Sequence, residues 1–215
     1  MSYRATKTGR WVRCAVDLEA LDLPISREEA LAILCRKEFS LIEVDMIALA
    51  RQWIGRSAYR RGTWASGAPA VVDCSSFVKW LYAQRGIWLP RLAVQQRECG
   101  ERVHIEDIVA GDLVFVSGRF DFYRSDPSDG VGHVGIATGD GTVVHASYEA
   151  GVVEVLLGAG ECRLDLNKLR DVRRYIPNGA EVLTLEVPTH ILEVESADDI
   201  RWFILQSLPK ERWRG

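Results

Sequence analysis

Part-way along this chain the spacing of apolar residues changes from helical to strand-like, so the fold has to join helices to a sheet. Ser26 and Glu29 form a capping box ahead of Ala30, Leu31, Ile33 and Leu34. A second box, Ser40 with Glu43, predicts a helix whose apolar positions Val44, Ile47, Ala50 and Ile54 recur at three- and four-residue steps, with Gly55 as its left-handed cap. Gly62, Gly67 and Pro69 make the stretch from Arg56 to Ala70 irregular. A third helix is predicted from Cys74 to Arg85, capped by Asp73, ended by Gly86, and burying Phe77, Trp80 and Leu81.

Beyond Gly86 alternation takes over. Asp112 to Val116 reads as a strand, Val134 to Thr138 and Thr142 to Ala146 as a hairpin around Gly139-Asp140-Gly141, and Gly151 to Leu156 as a further strand. Helices first and an antiparallel meander second predict an α+β fold, N-terminal helices packed on an antiparallel sheet, with Arg163 to Tyr175 as the closing edge. Strands are expected at Val182 to Val187 and His190 to Val194, then an amphipathic helix from Ser196 to Leu208 whose basic end (Lys210, Arg212, Arg214) complements the helix dipole.

Composition removes several classes of function. With 47% apolar residues in 215, the chain is an ordinary globular one rather than a disordered or fibrous one. Twenty-seven Lys and Arg against 30 Asp and Glu give a net charge of -3, without the basic excess that a nucleic-acid partner demands. No apolar run approaches the roughly 20 residues of a membrane span, and Met1 to Arg13 is not followed by the hydrophobic stretch of a Sec signal peptide. The expectation is a cytoplasmic protein by default, with export by a non-Sec route left open, and an undetermined oligomeric state. The five cysteines Cys14, Cys35, Cys74, Cys99 and Cys162 include no C-x-x-C pair, which fits neither a disulfide framework nor a structural zinc site.

Cys74 opens a helix, where unsatisfied N–H groups and the dipole favour a thiolate. Its chemistry would need a histidine. His133 and His145 lie on the predicted hairpin, whereas His104 and His190 have no evident partner. If the loop is the three residues Gly139-Asp140-Gly141, His145 faces Gly135 and shares a face with His133; a two-residue loop would put the rings on opposite faces. Cysteine is also among the most buried residue types, so an inert core thiol, core histidines, or a metal held by Cys74 and both histidines stay open.

Five segments occur in order: Asp73-Cys74-Ser75-Ser76-Phe77, Gly86-Ile87-Trp88-Leu89-Pro90-Arg91 with Gln95 and Gln96, Gly111-Asp112-Leu113-Val114-Phe115, Gly132-His133-Val134-Gly135-Ile136, and Val144-His145-Ala146-Ser147. Together they resemble the NlpC-type cell-wall cysteine peptidases, a papain-like family, over about residues 45 to 177. The resemblance implies a peptidase domain at 41–177, between a partly helical extension at 1–40 and a strand-and-helix extension at 178–215. It implies Cys74 as nucleophile, His133 as its base, His145 as the group orienting His133, and Tyr59 beside the oxyanion. Asp73 and Ser75 around the nucleophile, with Arg119 and Arg124 of the long loop Ser117 to Val131, complete the candidate substrate-binding set.

The implied substrate is a peptidoglycan stem peptide, cut between D-γ-glutamyl and diamino-acid residues without a cofactor. Ser76 in place of glycine, Leu92-Ala93 in place of Thr-Ser, and Thr63 in place of a second glycine depart from the family pattern. Neither an export signal nor a wall-binding repeat is visible. An amidase or acyltransferase on another substrate, a delivered toxin or phage-associated hydrolase, and a non-catalytic binding module therefore stand as alternatives.

Overall fold

The computed structural model describes residues 2–158 and 163–209. In chain order the elements are β1 (Thr6–Thr8), β2 (Trp11–Asp17), α1 (Arg27–Arg36), β3 (Ser40–Ile42), α2 (Met46–Gln52), β4 (Ala58–Tyr59), β5 (Val71–Val72), α3 (Cys74–Gln84), α4 (Ala93–Arg97) and β6 (Glu101–Arg102). They continue with β7 (Leu113–Val116), β8 (His133–Ala137), β9 (Thr142–Ser147), β10 (Gly151–Gly158), β11 (Arg163–Asp165), β12 (Leu169–Arg174), β13 (Val182–Pro188) and α5 (Ala197–Gln206). The fold is α+β, as expected. Cys162 and the basic end Lys210, Arg212 and Arg214 lie outside the described residues. Among the described residues no helix is long and apolar enough to cross a membrane.

The chain divides into two compact units. The first draws on Met1–Val44, Tyr82–Trp88 and Asn178–Gly215. Its sheet has the order β1-β2-β13-β3, with β13 running antiparallel to both neighbours. Val12, Cys14 and Val16 alternate along β2, and with Leu185 and Val187 of β13 they form a core with Ile33 and Leu34 of α1 and Ile200 and Ile204 of α5. Burial there pushes the Cys14 thiol up to about 12, which makes it a packing residue. Gly86 turns at φ +77°, and its carbonyl accepts from Ala15 N (2.8 Å); a Cβ would stand 2.6 Å from that nitrogen, so no larger residue fits.

Two sequence expectations fail in this unit. Ser40 does not open a helix: Ser40–Ile42 is the edge strand β3, opposite Glu186–Thr184, because β13 offers that backbone a row of partners. The helix begins instead behind Asp45, in the second unit, where the carboxylate accepts from Ile47 N (3.0 Å) and Ala48 N (2.9 Å). His190 to Val194 is not a strand either; the chain turns there, with Ile191 N donating to Pro188 O (3.0 Å).

The second unit, Asp45–Leu81 with Leu89–Pro177, holds a seven-stranded sheet of order β11-β10-β9-β8-β7-β12-β6. Every pairing is antiparallel except that of β10 with β11. The predicted closing edge is split: β11 is one edge, whereas β12 lies between β7 and β6. In the hairpin Ile136 faces Val144 and Ala137 faces Val143, the register of the three-residue loop, with Gly139 and Gly141 at φ +89° and +86°. Phe77, Val78 and Leu81 of α3 and Leu113, Phe115, Val134 and Ile136 of the central strands are fully buried. Trp53, just past α2, meets Trp80 of α3 edge-on at 6.0 Å.

Candidate active site

Cys74 is the first residue of α3, and the helix is held open-ended around it by reciprocal caps. Asp73 Oδ1 accepts from Ser76 N (2.8 Å), and Ser76 Oγ accepts from Asp73 N (2.8 Å), so the serine that replaces glycine serves as a cap. The Asp73 carboxylate also takes Gly62 N (3.0 Å), Ser75 Oγ (3.2 Å) and Arg91 Nη1 (3.1 Å). Arg91 reaches Ser75 Oγ (2.9 Å) and the Thr63 carbonyl (2.7 Å) as well. Burial alone would raise the Asp73 carboxyl; the Arg91 guanidinium and the Ser76 donors outweigh it and hold the group below its usual range. Asp73 and Ser75 thus frame the cysteine by fixing the loop before it.

The thiolate expected from the helix position is not the resting form. Burial, then the neighbouring Asp73 carboxylate, pushes the Cys74 thiol up to about 11, against which backbone N–H groups of Val134 and Ser75 favour the anion. The Val134 contact places the sulfur beside β8, whose first residue is His133, and Cys74 and His133 line one cleft. His133 and His145 are diagonal neighbours across the β8–β9 ladder, Gly135 standing opposite His145; a Cβ at Gly135 would lie 3.1 Å from that of His145. His133 Nε2 and His145 Nδ1 are 2.8 Å apart, with the rings nearly perpendicular at 88°. Burial lowers the proton affinity of both imidazoles, and for His133 the proximity of His145 adds to it.

With both rings neutral, one must donate in that bond. If His133 Nε2–H donates to His145 Nδ1, the lone pair of His133 sits on Nδ1, free to accept a proton from the thiol. A cleft of about 420 Å³ exposes this set, lined among others by Cys74, His133, His145, Tyr59, Asp73 and Ser75. Tyr59, on β4 beside Val72, is half-buried, and burial followed by the nearby Cys74 pushes its hydroxyl up to about 12, so it stays a proton donor. Among the described residues no three His, Cys, Asp or Glu side chains converge as a metal site.

Residues 58–161 match the sequence profile of the NlpC/P60 family. That segment is an NlpC/P60 domain. The chain is 34% identical over 115 residues to a probable endopeptidase p60 of Listeria innocua, covering 54% of this chain and 22% of that protein. It is 38% identical over 104 residues to the peptidoglycan DL-endopeptidase CwlO of Bacillus licheniformis, covering 46% of this chain and 21% of that one. The chain therefore spans about a fifth of the length of these curated relatives. A crystal structure of an NlpC/P60 family protein from Bacillus cereus superposes with a TM-score of 0.48 at 26% identity, over 62% of this chain and 40% of that one.

Within the NlpC/P60 segment the loop Ser117 to Val131 does form a rim of the cleft, through Ser117, Gly118, Arg119, Phe120, Phe122 and Val131. Arg119 lines the cleft; Arg124 does not. The loop is tied down by Gly118 N to Asp121 Oδ1 (2.7 Å), by the Phe122–Val131 bridge, and by Asp129, which accepts from both terminal nitrogens of Arg97 at 2.8 Å. Sequence reasoning assigned no role to Arg91, Arg61 or Tyr148, all of which line the cleft. Tyr148 packs edge-on against Tyr59 at 5.6 Å. Arg91 stands 18 residues from Asp73, so only the Leu-Pro-Arg segment hinted at it.

Proposed function

We propose that the NlpC/P60 segment is a thiol-dependent amide hydrolase that cleaves peptidoglycan stem peptides at the D-γ-glutamyl–diamino acid bond through Cys74, His133 and His145. One observation carries the reading: His133 turns Nε2 to His145 Nδ1 at 2.8 Å, which leaves Nδ1 for the thiol whose sulfur lies beside Val134 in the same cleft. The names of the relatives supply the substrate class. A non-catalytic binding module would have no use for two imidazoles hydrogen-bonded to each other in the cleft that holds a helix-opening thiol.

The reaction starts from the neutral pair. As Cys74 Sγ attacks the carbonyl carbon, its proton passes to His133 Nδ1, and the developing imidazolium is stabilised by His145. The negative oxygen is met by the Cys74 backbone N–H and the Tyr59 hydroxyl; removing one such donor costs about 100- to 1000-fold in rate. Collapse expels the diamino-acid amine, protonated by His133, and leaves a thioester. Water, deprotonated by His133, then adds to the thioester carbonyl and releases the acid and the thiol. Asp73, Ser75 and Arg91 fix the loop that presents the sulfur.

The test is to incubate wild-type protein and Cys74→Ala with defined stem peptides and weigh the products. Wild type should yield two fragments whose masses together equal that of the peptide plus one water, and Cys74→Ala none. Transfer of the acyl group to an added amine would make the protein a transferase, and intact peptides throughout would end the hydrolase reading.

A further inference from the structure

Phe120, 52% exposed, carries two guanidinium groups: Arg61 lies 4.0 Å from its ring centroid and Arg119 5.6 Å. Arg61 belongs to the turn after Tyr59, whereas Phe120 and Arg119 belong to the loop that leads into His133. Two walls of the cleft therefore meet at this ring. Arg61, Arg119 and Lys168 all line the cleft, and Lys168 is joined to the loop base by Ser117 N donating to its carbonyl (2.8 Å).

These cations differ from the other arginines nearby. Arg91, Arg97, Arg173 and Arg174 each pair with a carboxylate, but among the described residues none lies within ion-pairing distance of Arg61, Arg119 or Lys168. The cleft wall holds two carboxylates, of which only Asp73 is paired with a cation among the described residues. Asp73 is bound by Arg91, and Asp165 accepts from Asn167 N (3.0 Å). With Arg91 and Asp73 offsetting each other, Arg61, Arg119 and Lys168 against Asp165 leave an excess of two positive charges facing one concave space, a positive potential that an anionic ligand would relieve. A guanidinium already oriented by an aromatic ring loses little freedom on making the bidentate bonds that fit a carboxylate.

We propose that Arg61 and Arg119, held together over Phe120, bind a free carboxylate on the diamino-acid half of the substrate, with Lys168 adding long-range attraction. The inference rests on the hydrolase reading above for its placement. The loop bearing Arg119 and Phe120 closes directly on Gly132 and His133, the residue that protonates the departing amine, so the clamp faces the half that leaves.

The test uses two stem peptides that differ only in the side-chain carboxyl of the diamino acid, free in one and a carboxamide in the other. Wild type should favour the free acid by about tenfold in kcat/KM, with the preference shrinking as salt rises. Arg61→Gln with Arg119→Gln should bring the ratio to within about twofold, mainly through KM, while Arg124→Gln, outside the cleft lining, should keep it. Equal rates on both peptides in wild type, or an unchanged ratio in the double variant, would overturn the clamp. If neither peptide is cut, the hydrolase reading fails separately, and calorimetry on Cys74→Ala decides the clamp: preferential binding of the free acid sustains it, and equal or absent binding refutes it.

Discussion

Replacing Gly132 by alanine should damage catalysis far more than it damages the fold. Gly132 precedes His133, and a Cβ there would lie 2.3 Å from Asp121 Oδ1, a side-chain atom, and 2.7 Å from the backbone atoms Gly118 N and Phe120 O. Gly118 is packed closely in return, its own Cβ position falling 2.9 Å from the Gly132 carbonyl carbon. Ordinary contact begins near 3.4 Å, so backbone must retreat by about 0.7 Å, and the atoms that can move are the rim loop or the start of β8. Overpacking of this kind costs about 1–3 kcal/mol. A displacement near 1 Å at the proposed proton carrier costs up to about 100-fold in rate. The expected result is a modest fall in urea stability with a 10- to 100-fold loss in kcat/KM on a stem peptide. Gly141→Ala is the control: its φ of +86° strains alanine, but nothing lies within 4 Å, so it should lose stability and keep its rate. Equal rates for the two variants would refute the claim that the Gly118–Gly132 contact positions His133.

The acid limb of the rate profile should lie well below pH 6.5, because burial disfavours the charged imidazole and the proposed base is the neutral ring. Activity retained down to about pH 5.5 would agree, and a half-loss near 6.5 would not. Stability should behave differently: unfolded histidines take up protons near 6.5 that the native rings refuse, so the urea midpoint should fall as pH drops below that value. His133→Asn and His145→Asn together should flatten that fall, and an unchanged slope would show that the rings are not the cause. The buried pair Arg174–Asp112, with Nε–Oδ1 at 2.8 Å, predicts that Asp112→Ala costs about 3–5 kcal/mol in chemical denaturation, since it strands a buried guanidinium. Asp112→Leu with Arg174→Met should recover most of it, and a single-variant loss under about 1 kcal/mol would contradict this account.

What could be read from the chain lies within a few residues of itself. The Ser26–Glu29 box, the Cys74 helix start and the Gly139-Asp140-Gly141 turn each depend on donors and acceptors three or four positions apart, and each forms where the pattern puts it. The turn also sets the ladder that brings His133 and His145 to one face, so the histidine pair follows from local code. The same code misled at Ser40, whose box with Glu43 is as good locally as that of Ser26. A strand whose Glu186 lies 146 positions further on supplied better partners.

Packing settled the rest, because solvation and pairing energies depend on neighbours far away in the chain. Helix position argued for a thiolate at Cys74, yet removal from water and the Asp73 carboxylate leave it a thiol. No spacing rule brings Arg91 to Asp73, or lays Arg61 over Phe120 across 58 intervening positions. Nor does any pattern show that β2, near the start, and β13, near the end, lie side by side in one sheet. Short-range hydrogen bonding chose the elements and the order of the reactive side chains; which charges are neutralised, which groups are dried, and which walls meet arose only when distant segments came into contact.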